Sequence, residues 1–408
     1  MTDRAIPIRP ISTRTTSEYS RGPSSIVYAR ELYASLLGEI KDRHNYALLV
    51  VQHFLPNTVP LLDALQKHFH LCGLIPKPKS VDMRVLDGYV NNPDFSVFDN
   101  ITREVLKNEA PKALADLTAS LGDRKLIVLD VGGYFAVCLR ELGEHLQGRL
   151  HGIVEDTENG HQRYESAKSS LPSGKYPCPI LSAARSPLKE PEDHLVGQSI
   201  VYSTERILRD NDSLLMNKRV LVIGYGKIGR SIASSLSVRN IAVWVYDQDP
   251  VRRAQALSHG FFVPNRDRAI AEADLIFGAT GARSLKAEDF TKLKANCSIA
   301  SVTSVDDEFI LPSGYATRED KHRAVTVYMK GAKTFQLLNH GNAINFTHSN
   351  HSLGPYVYLV GCELIGCVAR LIHSHSELPL DEISALPKPQ REEIANLWIG
   401  KFGGSAKP

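Results

Sequence analysis

Three glycines near the middle of the chain have the spacing of a phosphate-binding turn. The stretch Arg219–Gly229 begins with an apolar run and then places glycine at positions 224, 226 and 229. Gly224 permits a tight turn, Gly226 lets the backbone approach a pyrophosphate, and Gly229 lets the following helix pack closely on the strand. The pattern predicts a strand, a turn and a helix that together bind a dinucleotide.

Residues after these glycines make the prediction more specific. Backbone N–H groups at the start of the helix, at Lys227 and Ile228, would bind phosphate together with the helix dipole. Asp247 ends the next apolar run, about 20 residues past the glycines, where a carboxylate can accept the hydrogen bonds of an adenosine ribose diol. Because that carboxylate would repel a 2′-phosphate, the sequence predicts NAD rather than NADP. The alternative is a glycine-rich turn that binds no dinucleotide.

Other polar residues end strand-like runs in the first half of the chain. His53, Asp130 and Asp156 each stand at the end of such a run. Strand-like and helical runs alternate, which predicts a parallel sheet whose ligands bind beyond the carboxyl ends of its strands. We therefore expect these three side chains to be catalytic groups beside one crevice. Structural alternatives are a histidine buried under the sheet, and aspartates that cap the Gly132–Gly133 turn and a helix near Thr157.

A lysine and an aspartate later in this half are separated by about one turn of a helix. Lys189 and Asp193 lie four positions apart. By itself this spacing fits an exposed ion pair on the surface of a helix.

Composition excludes several classes of protein. The chain has 408 residues, of which 43% are hydrophobic and 23% charged, and its net charge is +3. This charge is too small to argue for a nucleic-acid or membrane partner, and we find no apolar run long enough to span a membrane. Cysteines without a CxxC pair predict reduced thiols and a cytoplasmic protein. The spacing of His340, His348 and His351 fits no regular metal site, and we expect no metal.

The fold class predicted from this pattern is α/β, with two Rossmann-like parallel-sheet domains and a C-terminal helical extension. We expect a flexible arm over 1–27, a substrate domain over 28–196, an NAD-binding domain over 197–350, and helices over 351–408 that return to the substrate domain. Among the individual elements, we expect strands at Leu71–Pro76 and Phe261–Val263 and a charged surface loop at Arg318–Arg323.

Several motifs taken together resemble the adenosylhomocysteinase family. Besides the glycine turn they are Gln52-His53, Leu129–Gly133, Gly152–Thr157, Leu188–Gly197, Gly278–Gly281, and Leu337-Leu338 with Gly341 and Asn345. The likeness covers most of the chain after the arm. Each motif is modest, but their order and spacing are specific.

That resemblance implies a tightly held NAD that oxidises a ribose 3′-hydroxyl and so acidifies the neighbouring C4′ hydrogen. Elimination of a 5′ thiol, addition of water and re-reduction would follow. By position it implies that Lys189 and Asp193 move the hydroxyl proton, since a lysine with a depressed pKa beside a carboxylate can act as a base. It also implies a ribose contact by Asp156 and acid–base catalysis by His53. On the cofactor side it implies nicotinamide contacts by Thr157 and Asn345 and a cofactor-loop position for Thr280. It also implies a homo-oligomer that acts on a small nucleoside-like molecule.

Substrate-side positions depart from the family. Val131, Ser304 and Gln198 stand where the family has a catalytic aspartate, a histidine and a cysteine. Leu55 and Asn57 replace a threonine and a glutamate that hold adenine. A site built to hydrogen-bond one base discriminates by about 10⁴-fold or more, so these changes indicate an altered substrate.

The sequence therefore favours an NAD-dependent enzyme that oxidises a secondary hydroxyl of a nucleoside-like substrate with a bound, recycled cofactor. Elimination or hydrolysis at the 5′ position is the further step that the resemblance implies. Two alternatives stay open. One is a catalytically silent NAD-binding regulator, and the other is a conventional dehydrogenase whose cofactor exchanges.

Overall fold

The computed structural model describes residues 22–303, 308–346 and 353–403. Most of the expected N-terminal arm lies outside these residues, but from Gly22 onward the chain is helical, so the last residues of that expected arm form part of a helix. Ser304, His348 and His351 also lie outside the described residues.

Fourteen strands and thirteen α-helices form within the described residues. The strands are β1 (Tyr46–Phe54), β2 (His70–Val81), β3 (Ser96–Val97), β4 (Lys125–Asp130), β5 (Leu150–Glu155), β6 (Ile180–Ser182), β7 (Arg219–Ile223), β8 (Ala242–Tyr246), β9 (Leu275–Gly278), β10 (Cys297–Ser301), β11 (Ala316–Asp320), β12 (Val325–Lys330), β13 (Lys333–Leu338) and β14 (Ile383–Ser384). The helices are α1 (Gly22–Gly38), α2 (Val59–His68), α3 (Met83–Val90), α4 (Arg103–Asn108), α5 (Ala110–Leu117), α6 (Leu139–Leu146), α7 (Glu158–Lys168), α8 (Glu190–Asp210), α9 (Lys227–Ser237), α10 (Pro250–Ser258), α11 (Arg266–Glu272), α12 (Tyr356–His373) and α13 (Lys388–Phe402).

The first sheet has the strand order β14-β6-β5-β4-β1-β2-β3, and all its pairs are parallel. Its central strands are apolar throughout and buried on both faces, as in Leu48–Val51 and Leu126–Leu129, because helices cover both sides of a parallel sheet. The short strand β14 brings the C-terminal part of the chain back to this sheet.

The second sheet has the order β11-β12-β13-β10-β9-β7-β8. Five of its strands, from β13 to β8, are parallel, and β12 and β11 are added antiparallel at one edge. The expected fold class, with two Rossmann-like sheets and C-terminal helices, is therefore confirmed.

Several individual expectations were wrong. Arg318–Arg323 is not simply a surface loop, because its first residues belong to β11. That strand is an exposed edge, so its sequence lacks the apolar alternation that reveals a strand. Phe261–Val263 contributes only an isolated bridge between Phe262 and Trp244. Strand β2 continues five residues past Pro76 to Val81.

Helix α12 is the longest apolar segment of the described chain. It is long and apolar enough to cross a membrane by length and composition, with a mean hydropathy of 1.4, which the sequence analysis overlooked. However, 61% of that window is buried inside the fold. A Cβ atom on Gly152 of β5 would lie 2.4 Å from Leu371 of α12, so the helix packs closely on the first sheet. Its apolar character is that of a core helix.

Candidate active site

One cavity of about 1190 Å³ is bordered by the carboxyl ends of strands from both sheets. This volume exceeds the 300–1,000 Å³ or so of an ordinary small-molecule site and leaves room for a dinucleotide beside a second molecule. The expected site residues that line it are His53, Asp156, Thr157, Lys189, Asp193, Gly226, Lys227, Ile228, Thr280 and Asn345. Asp130, Gly224, Gly229 and Asp247 lie behind this lining.

The glycine turn has the geometry that the spacing predicts. Gly224 has a φ of 101°, and a Cβ atom on it would lie 2.5 Å from the carbonyl oxygen of Ala279. A Cβ atom on Gly229 would lie 1.9 Å from the carbonyl oxygen of Gly224. Gly226 differs, because the nearest atom to its Cβ position is a guanidinium nitrogen of Arg252 at 3.6 Å. The turn is therefore tight on the protein side and open on the cavity side, as a pyrophosphate cradle requires.

Asp247 stabilises this turn. Its Oδ2 accepts the backbone N–H of Tyr225 at 2.7 Å, and its Oδ1 accepts that of Asp249 at 2.9 Å. The Nη1 atom of Arg252 lies 3.6 Å from Oδ2, and only 5% of Asp247 is exposed. The carboxylate thus stands next to the turn, as expected for a ribose contact, but it also holds the backbone in place.

Two further residues line the cofactor side of the cavity. The N–H and hydroxyl groups of Thr280 and the N–H of Gly281 donate to the buried carboxylate of Glu308, with distances of 2.6–3.3 Å. Asn345 is 9% exposed, and its Oδ1 has no hydrogen-bond partner among the described residues. A buried acceptor without a partner costs free energy, so a carboxamide donor of a bound ligand would satisfy it. Together with the glycine turn, this feature fits a nicotinamide dinucleotide.

Lys189 lies in a cluster of carboxylates. Its Nζ donates to Asp156 Oδ1 at 2.7 Å and to Glu192 Oε2 at 3.1 Å. Burial alone would lower the pKa of Lys189, but the carboxylates of Asp156, Glu192 and Asp193 outweigh it and raise the pKa well above its ordinary value. The expectation of a lysine with a depressed pKa is therefore wrong, and Lys189 is a fixed cation in this structure.

Glu192 is a site residue that the sequence analysis missed. It lies in the first turn of α8 and lines the cavity. Burial raises its pKa to about 7, although the Lys189 ammonium opposes that effect. Glu192 can therefore exchange a proton near neutral pH. Its position three residues after Lys189 was the available signal, because residues at that spacing are neighbours on a helix.

Asp193 connects the two halves of the cavity. Its Oδ2 lies 3.5 Å from Nζ of Lys227, which also donates to the carbonyl of Ala184 at 3.2 Å. Lys227 is the first residue of α9, directly after the glycine turn. Burial raises the pKa of Asp193, while Lys189 and Lys227 lower it. Asp193 therefore makes its ion pair with the cofactor side of the cavity.

His53 lies near the end of β1 and faces the cavity from the first sheet. Its Nδ1 is 2.6 Å from the hydroxyl oxygen of Ser80. The ring centroid lies 5.3 Å from that of Phe346, which also lines the cavity. The hydroxyl orients the imidazole, so that Nε2 is the nitrogen that could contact a substrate.

Asp130 does not reach the cavity, in contrast to the catalytic role expected for it. Its carboxylate is fully buried and accepts the N–H groups of Tyr134 and Phe135, each at 2.9 Å, and the hydroxyl of Tyr164 at 2.5 Å. Because these donors use both oxygens, the geometry supports the alternative of a structural cap. The next residue, Val131, is buried in an apolar cluster.

Glu155 organises the turn beside Asp130 and orients Asp156. Its carboxylate accepts the hydroxyl of Thr157 and four backbone N–H groups, those of Gly132, Gly133, Asp156 and Thr157. The shortest donor–acceptor distance for each of these five groups is between 2.6 and 3.0 Å. Thr157, and not Asp156, caps helix α7 by accepting the N–H of Gly160 at 3.0 Å. The carboxylate of Asp156 is therefore available to Lys189 and the cavity.

The chain is similar to known NAD-domain sequences and to curated adenosylhomocysteinases. The family model "S-adenosyl-L-homocysteine hydrolase, NAD binding domain" matches residues 197–351. The chain is 26% identical over 294 residues to the adenosylhomocysteinase of Thermotoga maritima, covering 71% of each protein. It is 26% identical over 268 residues to that of Corynebacterium diphtheriae, covering 63% of this chain and 54%, about half, of the relative.

Similar solved structures have low sequence identity. A phosphoglycerate oxidoreductase from Vibrio cholerae is 14% identical, with a TM-score of 0.46, covering 80% of this chain and 99% of its own. A glyoxylate reductase from Paecilomyes thermophila is 11% identical, with a TM-score of 0.44, covering 83% of this chain and 97% of its own.

Proposed function

Because the chain is a divergent member of the adenosylhomocysteinase family and its cofactor is NAD, we propose that it oxidises a ribose-type secondary hydroxyl of a nucleoside or thioether nucleoside and recycles its bound NAD. One observation carries this proposal: the carboxylate–lysine cluster around Lys189 and the glycine turn line the same cavity. The pair between Asp193 and Lys227 links them.

Bound NAD would supply the hydride acceptor and, later, the hydride donor. The N–H groups at the start of α9 would hold its phosphates, since the helix dipole favours negative charge there. Asp247 would contact the adenosine ribose, and the free Oδ1 of Asn345 would accept from the carboxamide. Thr157 and Thr280, which also line the cavity, would border the nicotinamide half.

The hydroxyl proton needs an acceptor inside the cavity. Lys189 is held protonated, so its role is to fix Asp156 and to stabilise negative charge that develops on the hydroxyl oxygen. We assign the acceptor role to Glu192, because its pKa of about 7 suits a base near neutral pH. Asp156 would hold the ribose diol, and His53 would act as an acid–base group at the other side of the sugar.

The substrate-recognition side supports a nucleoside with altered contacts. Leu55 and Asn57, which depart from the family pattern, both line the cavity. The Oδ1 atom of Asn57 is buried without a hydrogen-bond partner among the described residues. An unpaired buried acceptor costs about 1–3 kcal/mol, so a base that donates an N–H to Asn57 would be selected.

A direct test follows the absorbance band of reduced nicotinamide on the purified protein during incubation with adenosine, inosine and S-adenosylhomocysteine. We expect one of these to produce the band on the protein fraction after gel filtration. Lys189→Ala should abolish the band while the NAD content per chain stays constant, because three carboxylates then lose their counter-charge. The matched control is Lys175→Ala, an exposed lysine outside the cavity.

The outcomes separate the three hypotheses. NAD content without any band would refute the redox proposal and favour a silent NAD-binding regulator. Reduced cofactor that leaves the protein in proportion to substrate would favour a conventional dehydrogenase. Full reduction in the Lys189→Ala protein would contradict the role given to Lys189.

A further inference from the structure

Lys77 is a cavity residue that the chemistry above does not use. It lies in the second half of β2, between Pro76 and Pro78, and its side chain lines the cavity. Its Nζ is 3.2 Å from the position that a Cβ atom on Gly132 would occupy. The ammonium therefore lies against the turn that follows β4.

Charged groups around Lys77 act in both directions. Arg163, whose Nη1 donates to the carbonyl of Gly132 at 2.7 Å, repels the ammonium. Three carboxylates attract it, those of Glu155, Asp156 and Asp130. Burial lowers the pKa of Lys77 to about 8 in spite of these carboxylates. The amine is therefore divided between its neutral and protonated forms near neutral pH, which lets it accept or return a proton.

Within the described residues, Nζ of Lys77 has no ion-pair partner within 4.0 Å. Three neighbouring residues are poorly suited to proton transfer at this wall, because each is held by hydrogen bonds or has an apolar side chain. Lys189 is fixed between two carboxylates, the Asp130 carboxylate accepts three hydrogen bonds in the core, and Val131 has no titratable group. Among the described residues, no ion pair therefore holds the Lys77 side chain in place at this wall of the cavity.

We propose that Lys77 is the acid–base residue that moves a proton between the substrate carbon next to the oxidised carbon and the departing 5′ group. This inference rests on the proposed function. It adds the residue that would carry out elimination in a chain that has valine at position 131.

The step balances as a proton transfer coupled to bond cleavage. The neutral amine of Lys77 takes the proton from the carbon beside the ketone, and the C–H electron pair becomes the new carbon–carbon double bond. The bond to the 5′ group breaks, and its electron pair leaves with that group. Lys77 then gives up its proton, so that the group leaves as a neutral thiol or alcohol and the amine is restored. No further oxidant is consumed.

Exchange of the carbon-bound hydrogen with solvent isolates this step. The holoenzyme is incubated in D₂O with adenosine or S-adenosylhomocysteine, and deuterium at C4′ is measured by mass spectrometry and NMR while the reduced-nicotinamide band is followed. Lys77→Arg keeps the positive charge but cannot lose a proton near neutral pH, and Lys77→Met removes the charge. The matched control is Lys175→Arg, which changes an exposed lysine.

We expect both Lys77 variants to form the reduced band as the wild type does and to exchange deuterium about 10²–10⁴-fold more slowly. Wild-type exchange should rise with pH through about 8, because the neutral amine is the active form, and Lys77→Arg should lack this rise. Undiminished exchange in Lys77→Arg overturns the inference but leaves the proposed function intact. A wild type without any reduced band overturns the proposed function, and the inference with it.

A second measurement needs no substrate. Competitive acetylation at graded pH, read peptide by peptide by mass spectrometry, gives the titration midpoint of Lys77 in the holoenzyme. A midpoint near pH 8 supports the assignment. A midpoint near the ordinary lysine value of about 10.4 overturns it, because such an amine would not be neutral often enough to act as a base.

Discussion

Gly226→Ala should separate cofactor binding from folding. The new methyl group would meet nothing closer than Arg252 Nη1 at 3.6 Å. The backbone of Gly226 has φ −73° and ψ −166°, which alanine adopts without strain. We therefore expect the cofactor-free fold to be unharmed, or stabilised by about 0.4–1 kcal/mol through loss of freedom in the unfolded chain. The methyl group would, however, point toward the space that a pyrophosphate needs.

The magnitude of the binding defect follows from the hydrogen bonds that would be lost. One hydrogen bond to a charged group contributes about 1.5–3 kcal/mol, which corresponds to a dissociation constant for NAD about 10–150-fold higher. At an NAD concentration 100 times the wild-type dissociation constant, ligand binding stabilises the wild type by about 2.7 kcal/mol. A variant that binds about 100-fold more weakly would gain only about 0.4 kcal/mol.

Thermal unfolding with and without NAD measures both quantities on the same samples. The control Gly400→Ala lies in helix α13, where a Cβ atom meets nothing within 4 Å, and it should keep the full NAD-dependent shift. Gly224→Ala should instead lower stability without NAD, because its methyl group meets the Ala279 carbonyl at 2.5 Å. A Gly226→Ala protein that retains the wild-type NAD shift would refute this view of the turn.

Two further predictions concern buried carboxylates. Burial raises the pKa of Glu363 from 4.5 to about 7. The contribution of this carboxyl group to stability is therefore present below pH 4.5 and is lost as the pH rises through 7. Glu363→Gln should be more stable than the wild type at pH 8 by up to about 3 kcal/mol and equal to it at pH 4. Urea unfolding at the two pH values checks this, and a pH-independent difference would contradict it. Asp130→Asn should lose about 1–3 kcal/mol of stability, because an amide cannot accept the N–H groups of Tyr134 and Phe135 with both its polar atoms. Substrate-dependent reduction of NAD per folded molecule should survive that change, and its loss in a fully folded variant would restore Asp130 as a catalytic candidate.

The glycine turn could be predicted from sequence because its requirements are local. Gly224 needs a positive φ, and Gly229 must approach the backbone of Gly224. Both demands depend on a few neighbouring residues, and the apolar strand before them fixes the direction of the chain. The same holds for strand ends such as His53 and Asp156, since parallel strands bring their carboxyl ends to one edge.

The electrostatic state of the site could not be predicted in the same way. The pKa of Lys189 depends on Asp156. Because Asp156 is distant in sequence, the residues next to Lys189 give no sign of this effect. Asp130 lies at a strand end like Asp156, yet its neighbours Tyr134 and Tyr164 turn its carboxylate into the core. Which of two similar strand ends faces the cavity depends on tertiary packing.

Lys77 was hidden by its flanking prolines. Proline lacks the N–H group that a strand needs, so the sequence indicates a strand that ends at Pro76. The structure continues β2 through Pro78 to Val81, with an irregularity in its pairing with β1 between Gln52 and Phe54. This continuation carries Lys77 to the cavity.

Hydride transfer from substrate to NAD can be followed with adenosine, or whichever nucleoside of the panel binds, carrying deuterium on the ribose carbon that bears the reacting hydroxyl. The protein is quenched during turnover, and its dinucleotide is extracted and weighed by mass spectrometry. We expect reduced dinucleotide that carries one deuterium and is recovered with the protein. Dinucleotide that stays fully oxidised and unlabelled, with bound and unchanged nucleoside, would contradict the proposed oxidation of a ribose-type hydroxyl.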